Sequence, residues 1–322
     1  MLGLLIVFFV LTGYTIWDNN RIKVVEQEIL IDNLPTELEE FTILQLSDLH
    51  EKKFGENQKK LLNAVNSLRY DAIVFTGDML SRSKSVNYNP FYSLLDGIDN
   101  KETALFVPGN TDPAIYRLKP HEPYHKTDFV IGMEQRGVRL LESLYTLELG
   151  ESKVHFVDFE LSIKNSHKMI ALLDERQRQE NEPFREYYKH QKKLFADLSR
   201  LEQLNTSDVL ISLTHYPVVD KRFDALTKDS LYFLRDYDLI IAGHYHGGQI
   251  RLPFFGALFI PEPWYGRSGL FPPQDRVKGL WDYHGIKQYV SAGLGSSDAI
   301  SFLKFRLFNT PEINMLTLRK GN

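Results

Sequence analysis

Four short strings in this chain end or follow apolar runs and carry hard-metal ligand types. They are Ser47-Asp48-Leu49-His50, Thr76-Gly77-Asp78, Pro108-Gly109-Asn110 and Gly243-His244-Tyr245-His246. A fifth, Thr214-His215-Tyr216-Pro217, follows the apolar run 209–213. Carboxylate, amide carbonyl and imidazole donors suit Mn²⁺, Fe or Zn²⁺ better than Ca²⁺. Two such ions about 3.5–4 Å apart share a hydroxide and clamp phosphoryl oxygens during an in-line displacement. The expected chemistry is two-metal hydrolysis.

Spacing points the same way. Asp48 and His50 are two apart, so on an extended strand end both side chains leave one face and reach one ion. His244 and His246 stand in the same relation. Gly77 before Asp78 and Gly109 before Asn110 permit close backbone approach. Asp78 falls between the two ligand sets, and its two oxygens make it the natural bridge. Each string alone is weak: Asp-x-His arises by chance, and a lone His215 would ordinarily be structural. In this order, each after an apolar strand, the five together outweigh that ordinary reading.

Strand-like and helical runs alternate around these residues. Strand-like runs at 41–46, 71–75 and 103–107 are separated by helical spacing at 56–68, with Leu61, Leu62, Val65 and Leu68 on one side, and by a helix-compatible stretch at 90–98. That alternation predicts parallel βαβ units, whose sites lie at the carboxyl ends of strands. From Val138 onward the pattern changes to strand pairs, 138–141, 145–149 and 153–159, which predict a second, more antiparallel sheet. The segment 163–203 is charged and helical, interrupted near Asn181-Glu182-Pro183. It reads as a solvated surface pair, or as a lid or partner surface over the site. Further buried strands are expected at 209–213 and 238–242, another opens at Val290, and a short one at 24–31 precedes them all. No internal repeat is present.

Composition bounds the function. The chain has 322 residues, enough for one large domain or two small ones, and 43% hydrophobic with 25% charged residues supports a packed core. A net charge of −4 presents no basic face, so no nucleic acid partner is expected. An anionic substrate must then be attracted locally, by metal ions. The absence of cysteine excludes disulfides and thiolate metal sites. Residues 1–17 carry no charged side chain and would span roughly 26 Å as a helix. No basic n-region or small-x-small cleavage site accompanies them. An uncleaved single-pass anchor in the cell membrane is expected, with a cleaved signal or a buried core helix as alternatives. Tyr14 and Trp17 suit the interface, and Arg21 and Lys23 just after the span lean toward a cytoplasmic domain. The reading is therefore an anchor at 1–17, a juxtamembrane segment at 18–40 and a catalytic domain at 41–318.

Taken together, the strings resemble the calcineurin-like metallophosphoesterases, whose pattern is D-x-H, G-D, G-N-H-[DE], H and G-H-x-H. The chain is most similar to the bacterial membrane-associated branch with G-H-x-H-G-G-Q-x-R-x-P, present here from Gly243 to Pro253. The resemblance covers 41–318. It implies an α/β fold, a four-layer αββα sandwich of two mixed sheets. It also implies two divalent cations, Mn²⁺, Fe or Zn²⁺, and hydrolysis of phosphomonoesters, phosphodiesters or diphosphates. One metal would take Asp48, His50, Asp78 and His246, and the other Asp78, Asn110, His215 and His244. Asn110 and His215 would act in catalysis by holding the second metal against a phosphoryl oxygen.

One position departs from the family pattern. The family usually has His after the Asn, and here Thr111 stands in Gly109-Asn110-Thr111-Asp112. Thr is a poor general acid, and an alkoxide leaving group needs one. A phosphate leaving group, with a second pKa of about 6, departs without it. Diphosphate bonds and activated aryl diesters are therefore favoured. A nucleotide-diphosphate lipid would also explain the anchor, and some relatives of this branch resemble UDP-2,3-diacylglucosamine hydrolases. His121 or His125 could swing in as donor instead, or both are surface histidines.

Thr111, Gln249 and Arg251 are expected at the substrate, since Arg's fork matches phosphate oxygens. Alternatively Arg251 pairs with a structural carboxylate. Asp112 is expected to cap a helix beginning at Pro113, or to orient a ligand. Tyr245 and Trp264 either line the pocket or pack on the sheet, with packing expected for Trp264. His155, His167, His190 and His284 receive no role. The alternatives to a lipid-linked diphosphate are a general phosphodiesterase acting on nucleotide or glycerophospho diesters and a non-enzymatic scaffold. The scaffold requires decayed ligands, and all seven are intact.

Overall fold

Strands that are apolar on both faces need cover on both sides. Thr42–Leu46, Ala72–Phe75 and Ala104–Phe106 are of this kind, buried almost throughout. The computed structural model describes residues 2–180, 182–205, 207–297 and 303–321. Its first sheet runs Lys23–Ile31, Glu312–Lys320, Thr42–Leu46, Ala72–Phe75, Ala104–Phe106, Arg139–Leu140. Four of its five pairings are parallel, and only Glu312–Lys320 against Thr42–Leu46 is antiparallel. The second sheet runs Gly279–Tyr283, Ile286–Val290, Leu239–Ala242, Asp208–Leu213, Ser152–Asp158, Leu144–Leu149. Its three central pairings are parallel and its two edge pairings antiparallel. It is thus more antiparallel than the first sheet only at its edges.

Alternation along each strand builds the layers. Ile43, Val74 and Leu105 meet Phe156, Ile211 and Ile241 between the sheets. Their neighbours Leu44, Ile73 and Phe75 face outward onto Lys59–Asn66, Asn89–Gly97 and Asp128–Glu134. On the far side Leu210 and Ile240 meet Ser166–Gln179, Glu182–Leu198 and Asp220–Leu226. The result is the αββα sandwich. Each buried Leu, Ile or Phe contributes about 1.5–3 kcal/mol, and a one-residue slip would turn a strand's whole set to the wrong layer.

Two expectations about elements are corrected, and a third is met. The run at 138–141 joins the first sheet, not the second, because Val138 and Leu140 pack with Phe106, Phe129 and Met133 on that sheet's outer side. The stretch 18–40 is built into the domain. Lys23–Ile31 pairs in parallel with Glu312–Lys320, from Lys23 opposite Glu312 to Ile31 opposite Lys320. Its Ile29 and Ile31, with Leu34 and Leu38 after it, complete the inter-sheet core. The charged segment forms two helices, Ser166–Gln179 and Glu182–Leu198. Asn165 caps the first by accepting the Lys168 amide (3.1 Å). The break falls where it was expected, although Asn181 lies outside the described residues. Leu173, Phe195 and Leu198 bury its apolar side on the second sheet, which makes it a surface pair.

The first helix, Leu2–Asn19, is long and apolar enough to cross a membrane. Its apolar side chains, among them Ile6, Phe9 and Val10, are exposed, so it is not a core helix. Its last turn is tied to the domain. Asn19 donates to the Arg306 carbonyl (2.6 Å) and accepts the Arg306 amide (2.8 Å). The buried Asp18 accepts from Arg21 and Thr310, each at 2.7 Å.

Candidate metal centre

All five ligand strings leave the carboxyl ends of strands in the two sheets. The backbone there is not extended, which corrects the same-face argument for Asp48 and His50. Asp48 (φ 53°), His50 (φ 47°), Asp78 (φ 55°), His244 (φ 72°) and His246 (φ 49°) all lie in the left-handed region. Residues with a Cβ avoid that region unless surrounding bonds over-determine it. Those bonds are present: the amides of Asp48 and His50 donate to the carbonyls of Gly77 and Asp78, each at 3.0 Å. Gly77 and Gly109 allow the neighbouring loops to touch. A Cβ on Gly77 would overlap the Gly109 backbone, and one on Gly109 would overlap the Asp78 carboxylate.

The loops bring the seven predicted ligands together. Asp48, His50 and His246 form one group and Asp78, His215 and His244 another, with donor atoms inside each group within 4.8 Å of one another. In the first, His50 Nε2 is 3.2 Å from His246 Nε2, and His246 Nε2 is 3.6 Å from Asp48 Oδ1. In the second, His215 Nε2 is 3.1 Å from both Asn110 Oδ1 and His244 Nδ1. Asp78 Oδ2 lies between the groups, 3.5 Å from His50 Nε2 and 3.3 Å from His215 Nε2. Its other oxygen is committed, since Oδ1 accepts the Thr111 amide at 2.7 Å. One oxygen, not two, therefore faces both groups.

This donor set fits divalent cations. His215 Nδ1 donates to the Thr76 carbonyl (2.8 Å), leaving the Nε2 lone pair directed at other acceptors. Buried acceptors that face one another are unfavourable without a positive charge between them. Without a metal, the available positive charge is a proton. Burial pushes His215 down, but the Asp78 carboxylate outweighs it and holds the imidazole up at about 9. Burial would also raise Asp78, but His215 and His50 hold it well below the carboxylate range. Burial drives Asp48 up to about 7 despite attraction to His215. Burial and then His215 push His244 down to about 3, and burial and His50 carry His246 well below the usual imidazole range.

Several residues support the ligands without being ligands themselves. Asp112 was expected to cap a helix, but no helix begins at Pro113. Its carboxylate accepts four amides instead: Asp78 (2.7 Å) and Gly109 (2.9 Å) on Oδ2, Met79 (2.9 Å) and Leu80 (3.1 Å) on Oδ1. It thereby joins the Asp78 and Asn110 loops. Ser47 Oγ donates to Asp48 Oδ2 at 2.6 Å. Arg306, wholly buried, donates to the carbonyls of Gly295, Ala292, Asn309 and His246, and Asn309 Nδ2 donates to His246 at 2.7 Å. Nothing local in the sequence marks Arg306 or Asn309. A lone Arg or Asn ordinarily faces solvent.

A cavity of about 390 Å³ opens over the second group. Asp78, Asn110, Thr111, His244 and Gln249 line its polar end, and Ile250, Leu258, Phe259, Pro261 and Leu303 its apolar side. Thr111 is at the cavity, but its hydroxyl donates to the Leu80 carbonyl (2.6 Å). Gln249 is also there, with its amide bonded to the Ser297 N–H (2.9 Å) and the Leu303 carbonyl (2.6 Å). Arg251 does not line the cavity. It donates to the Gly247 carbonyl (2.9 Å) and braces the turn of its own motif. His121 and His125 are exposed on the Tyr116–Arg117/His125–Lys126 hairpin and do not line it either. Tyr245 is buried, lines the cavity and donates to Glu262 (2.5 Å), whereas Trp264, expected to pack, is 44% exposed. Among the described residues, none of 163–203 lines this cavity, so the lid reading gains no contact.

The model of the calcineurin-like phosphoesterase family matches residues 41–248. The UDP-2,3-diacylglucosamine pyrophosphatase LpxG of Chlamydia muridarum is 27% identical over 316 residues, covering 92% of this chain and 91% of that one. LpxG of Chlamydia trachomatis is 27% identical over 301 residues, covering 88% and 86%. The metallophosphoesterase YkuE of Bacillus subtilis is 25% identical over 316 residues, covering 94% and 87%. The matched segment contains every one of the converging ligands, from Asp48 to His246, and the chain belongs to the calcineurin-like phosphoesterase family.

Proposed function

We propose that this protein is a binuclear metal-dependent phosphohydrolase that cleaves the diphosphate bond of a nucleotide-linked lipid. The observation that carries the reading is the single Asp78 oxygen placed between two His-rich groups. Two divalent cations, with Mn²⁺ the preferred one, would supply Lewis acidity and a nucleophile at neutral pH. The chain's own residues prepare for them. The Thr76 carbonyl fixes the His215 tautomer, the Thr111 amide orients Asp78, and Asn110 offers its carbonyl at the cavity.

Three observations favour a diphosphate. Thr111 turns its hydroxyl to Leu80, so the residue that follows Asn110 offers no general acid to an alkoxide. The apolar side of the cavity suits an acyl chain beside a charged group. Two relatives bear the name of a pyrophosphatase acting on a nucleotide-linked diacyl sugar. Leu2–Asn19 is read as an anchor, and Arg21 and Lys23 after it favour a cytoplasmic domain. Proteolysis of intact cells tests that side: protection supports it, and digestion of the domain rejects it.

A general phosphodiesterase is the second reading. The test is a panel of UDP-2,3-diacylglucosamine, bis-p-nitrophenyl phosphate and a glycerophosphodiester, with metal analysis of the purified protein. The proposal expects close to two metal equivalents, diphosphate cleavage exceeding that of the alkyl diester, and a large loss in Asp78→Asn. Alkyl diesters cleaved as fast as the diphosphate would favour the second reading. A metal content near zero, or equal rates in Asp78→Asn and wild type, would reject an enzyme at this site.

A further inference from the structure

Residues 252–271 read Leu-Pro-Phe-Phe-Gly-Ala-Leu-Phe-Ile-Pro-Glu-Pro-Trp-Tyr-Gly-Arg-Ser-Gly-Leu-Phe and contain two charged side chains. Glu262 is buried against Tyr245, so Arg267 is the one charge this stretch exposes. Ala257 and Ile260 are buried beneath it, and most of its large apolar side chains face outward. Phe254 and Phe255 at the tip of the Arg251–Leu252/Gly256–Ala257 hairpin are 107% and 75% exposed. Phe259, Trp264, Leu270 and Phe271 are exposed as well. Phe259 bridges Leu270, and the Phe271 amide donates to Leu258 (2.8 Å), so these residues form one surface. An apolar, aromatic face whose exposed charge is a cation has the composition of a surface that sits in a lipid interface.

This face is joined to the first helix. Tyr14 lies against Phe308, with ring centroids 5.3 Å apart, and Asn19 exchanges two hydrogen bonds with Arg306. The next residue, Leu307, accepts the Arg251 amide (3.0 Å) and donates to the Gln249 carbonyl (3.1 Å). The end of the apolar helix, residues 306–308 and the base of the hairpin are therefore one bonded unit. The inner side of the same segment supplies Leu258, Phe259 and Pro261 to the wall of the cavity.

We infer that 252–271 is a bilayer-docking surface. Phe254, Phe255 and Phe271 insert into the leaflet from which Leu2–Asn19 emerges, so that the cavity opens toward the acyl region. This rests on the reading of the first helix as an anchor. The surface holds the domain against the membrane in one orientation and lets a lipid-linked substrate reach the metal ligands without leaving the bilayer.

The chain has no cysteine, so single labels report single positions. The full-length protein is reconstituted in phosphatidylethanolamine–phosphatidylglycerol vesicles carrying brominated acyl chains. Environment-sensitive labels are placed in Phe8→Cys, Phe255→Cys and Glu102→Cys. Glu102 precedes Ala104–Phe106 at the end of the sheet opposite Asn110 and serves as the aqueous reference. The expected result is that Phe8 and Phe255 labels lose most of their emission and the Glu102 label keeps it. Quenching at Phe8 without quenching at Phe255 overturns the docking surface while leaving the anchor intact. Quenching at neither position removes the anchor and the docking surface together. Loss of Phe255 emission that follows label density in unbrominated vesicles means a second copy covers the face, which also overturns the inference. A Phe254→Asp/Phe255→Asp variant is expected to lose several-fold in hydrolysis of vesicle-borne lipid substrate and to keep its rate on bis-p-nitrophenyl phosphate. An unchanged lipid rate counts against the surface.

Discussion

The buried carboxylate of Asp112 accepts the backbone amide of Asp78 at 2.7 Å, so one acid holds the loop of the other in place. The same carboxylate takes the amides of Met79, Leu80 and Gly109. It carries its negative charge close to Asp78, and burial followed by that neighbour raises it to about 6.

Replacing Asp112 separates its structural role from metal binding. Asp112→Ala strips three buried amides and one half-buried amide of their acceptor, and each buried unsatisfied group costs about 1–3 kcal/mol. The variant should melt well below wild type and bind metal poorly. Asp112→Asn keeps one acceptor oxygen and should fall between the two. Thermal unfolding with metal analysis checks the order, and an Asp112→Ala protein as stable as wild type would refute the role.

Thr111→Ala leaves the amide that orients Asp78 and removes only the hydroxyl bonded to Leu80. A loss of about 1 kcal/mol of stability is expected for that bond. Rates on bis-p-nitrophenyl phosphate should stay within a few-fold of wild type. A large fall in rate at unchanged metal content would mean that the hydroxyl touches the reaction.

Gly109→Ala drives a Cβ into the Asp78 carboxylate, and Gly77→Ala drives one into the Gly109 backbone. Both should cut metal affinity and activity far more than stability, because loop spacing, not the core, has to yield. Steady-state kinetics across a manganese titration reads this. Full recovery of the wild-type rate at low metal would show that the loops have slack.

Metal affinity should rise with pH. In the metal-free protein His215 keeps its proton up to about pH 9, mainly because Asp78 outweighs the effect of burial. A metal needs the neutral ring, so binding at pH 7 releases that proton. Affinity should fall about tenfold per unit as pH drops below 9. Below about 7, Asp48, raised by burial, adds a second proton to displace. Metal-free stability runs the other way. The folded pKa of His215 lies above its ordinary 6.5, so its contribution is complete below 6.5 and lost as pH climbs toward 9. Calorimetry in buffers of different ionisation enthalpy counts the released protons, and zero release at pH 7 would contradict the assignment.

The ligand identities were legible because each sits in a short string at the end of an apolar run. Their convergence followed from the βαβ order, which places strand carboxyl ends side by side. The layers were partly legible. Ile43, Val74 and Ile211 alternate with their neighbours as strands covered on both faces must. The membership of 139–140 and 23–31 was not, since pairing partners such as Glu312–Lys320 lie far along the chain. Extended geometry at Asp48 and His50 was the wrong local picture, because bonds from the Gly77–Asp78 loop hold both residues left-handed.

Residue order alone establishes which side chains offer metal donors, that Thr111 replaces the family's histidine, and that an apolar segment precedes the domain. Those are properties of residue type and local order. Packing of the folded chain sets the rest: a single Asp78 oxygen lies between both groups, Asp112 and Arg306 brace the loops, and Arg251 turns away from the cavity. Each of these depends on backbone amides and carbonyls from separate loops meeting within hydrogen-bond distance. No spacing along one strand encodes such a meeting, since it arises only when the two sheets pack and bring their loop ends to a common edge.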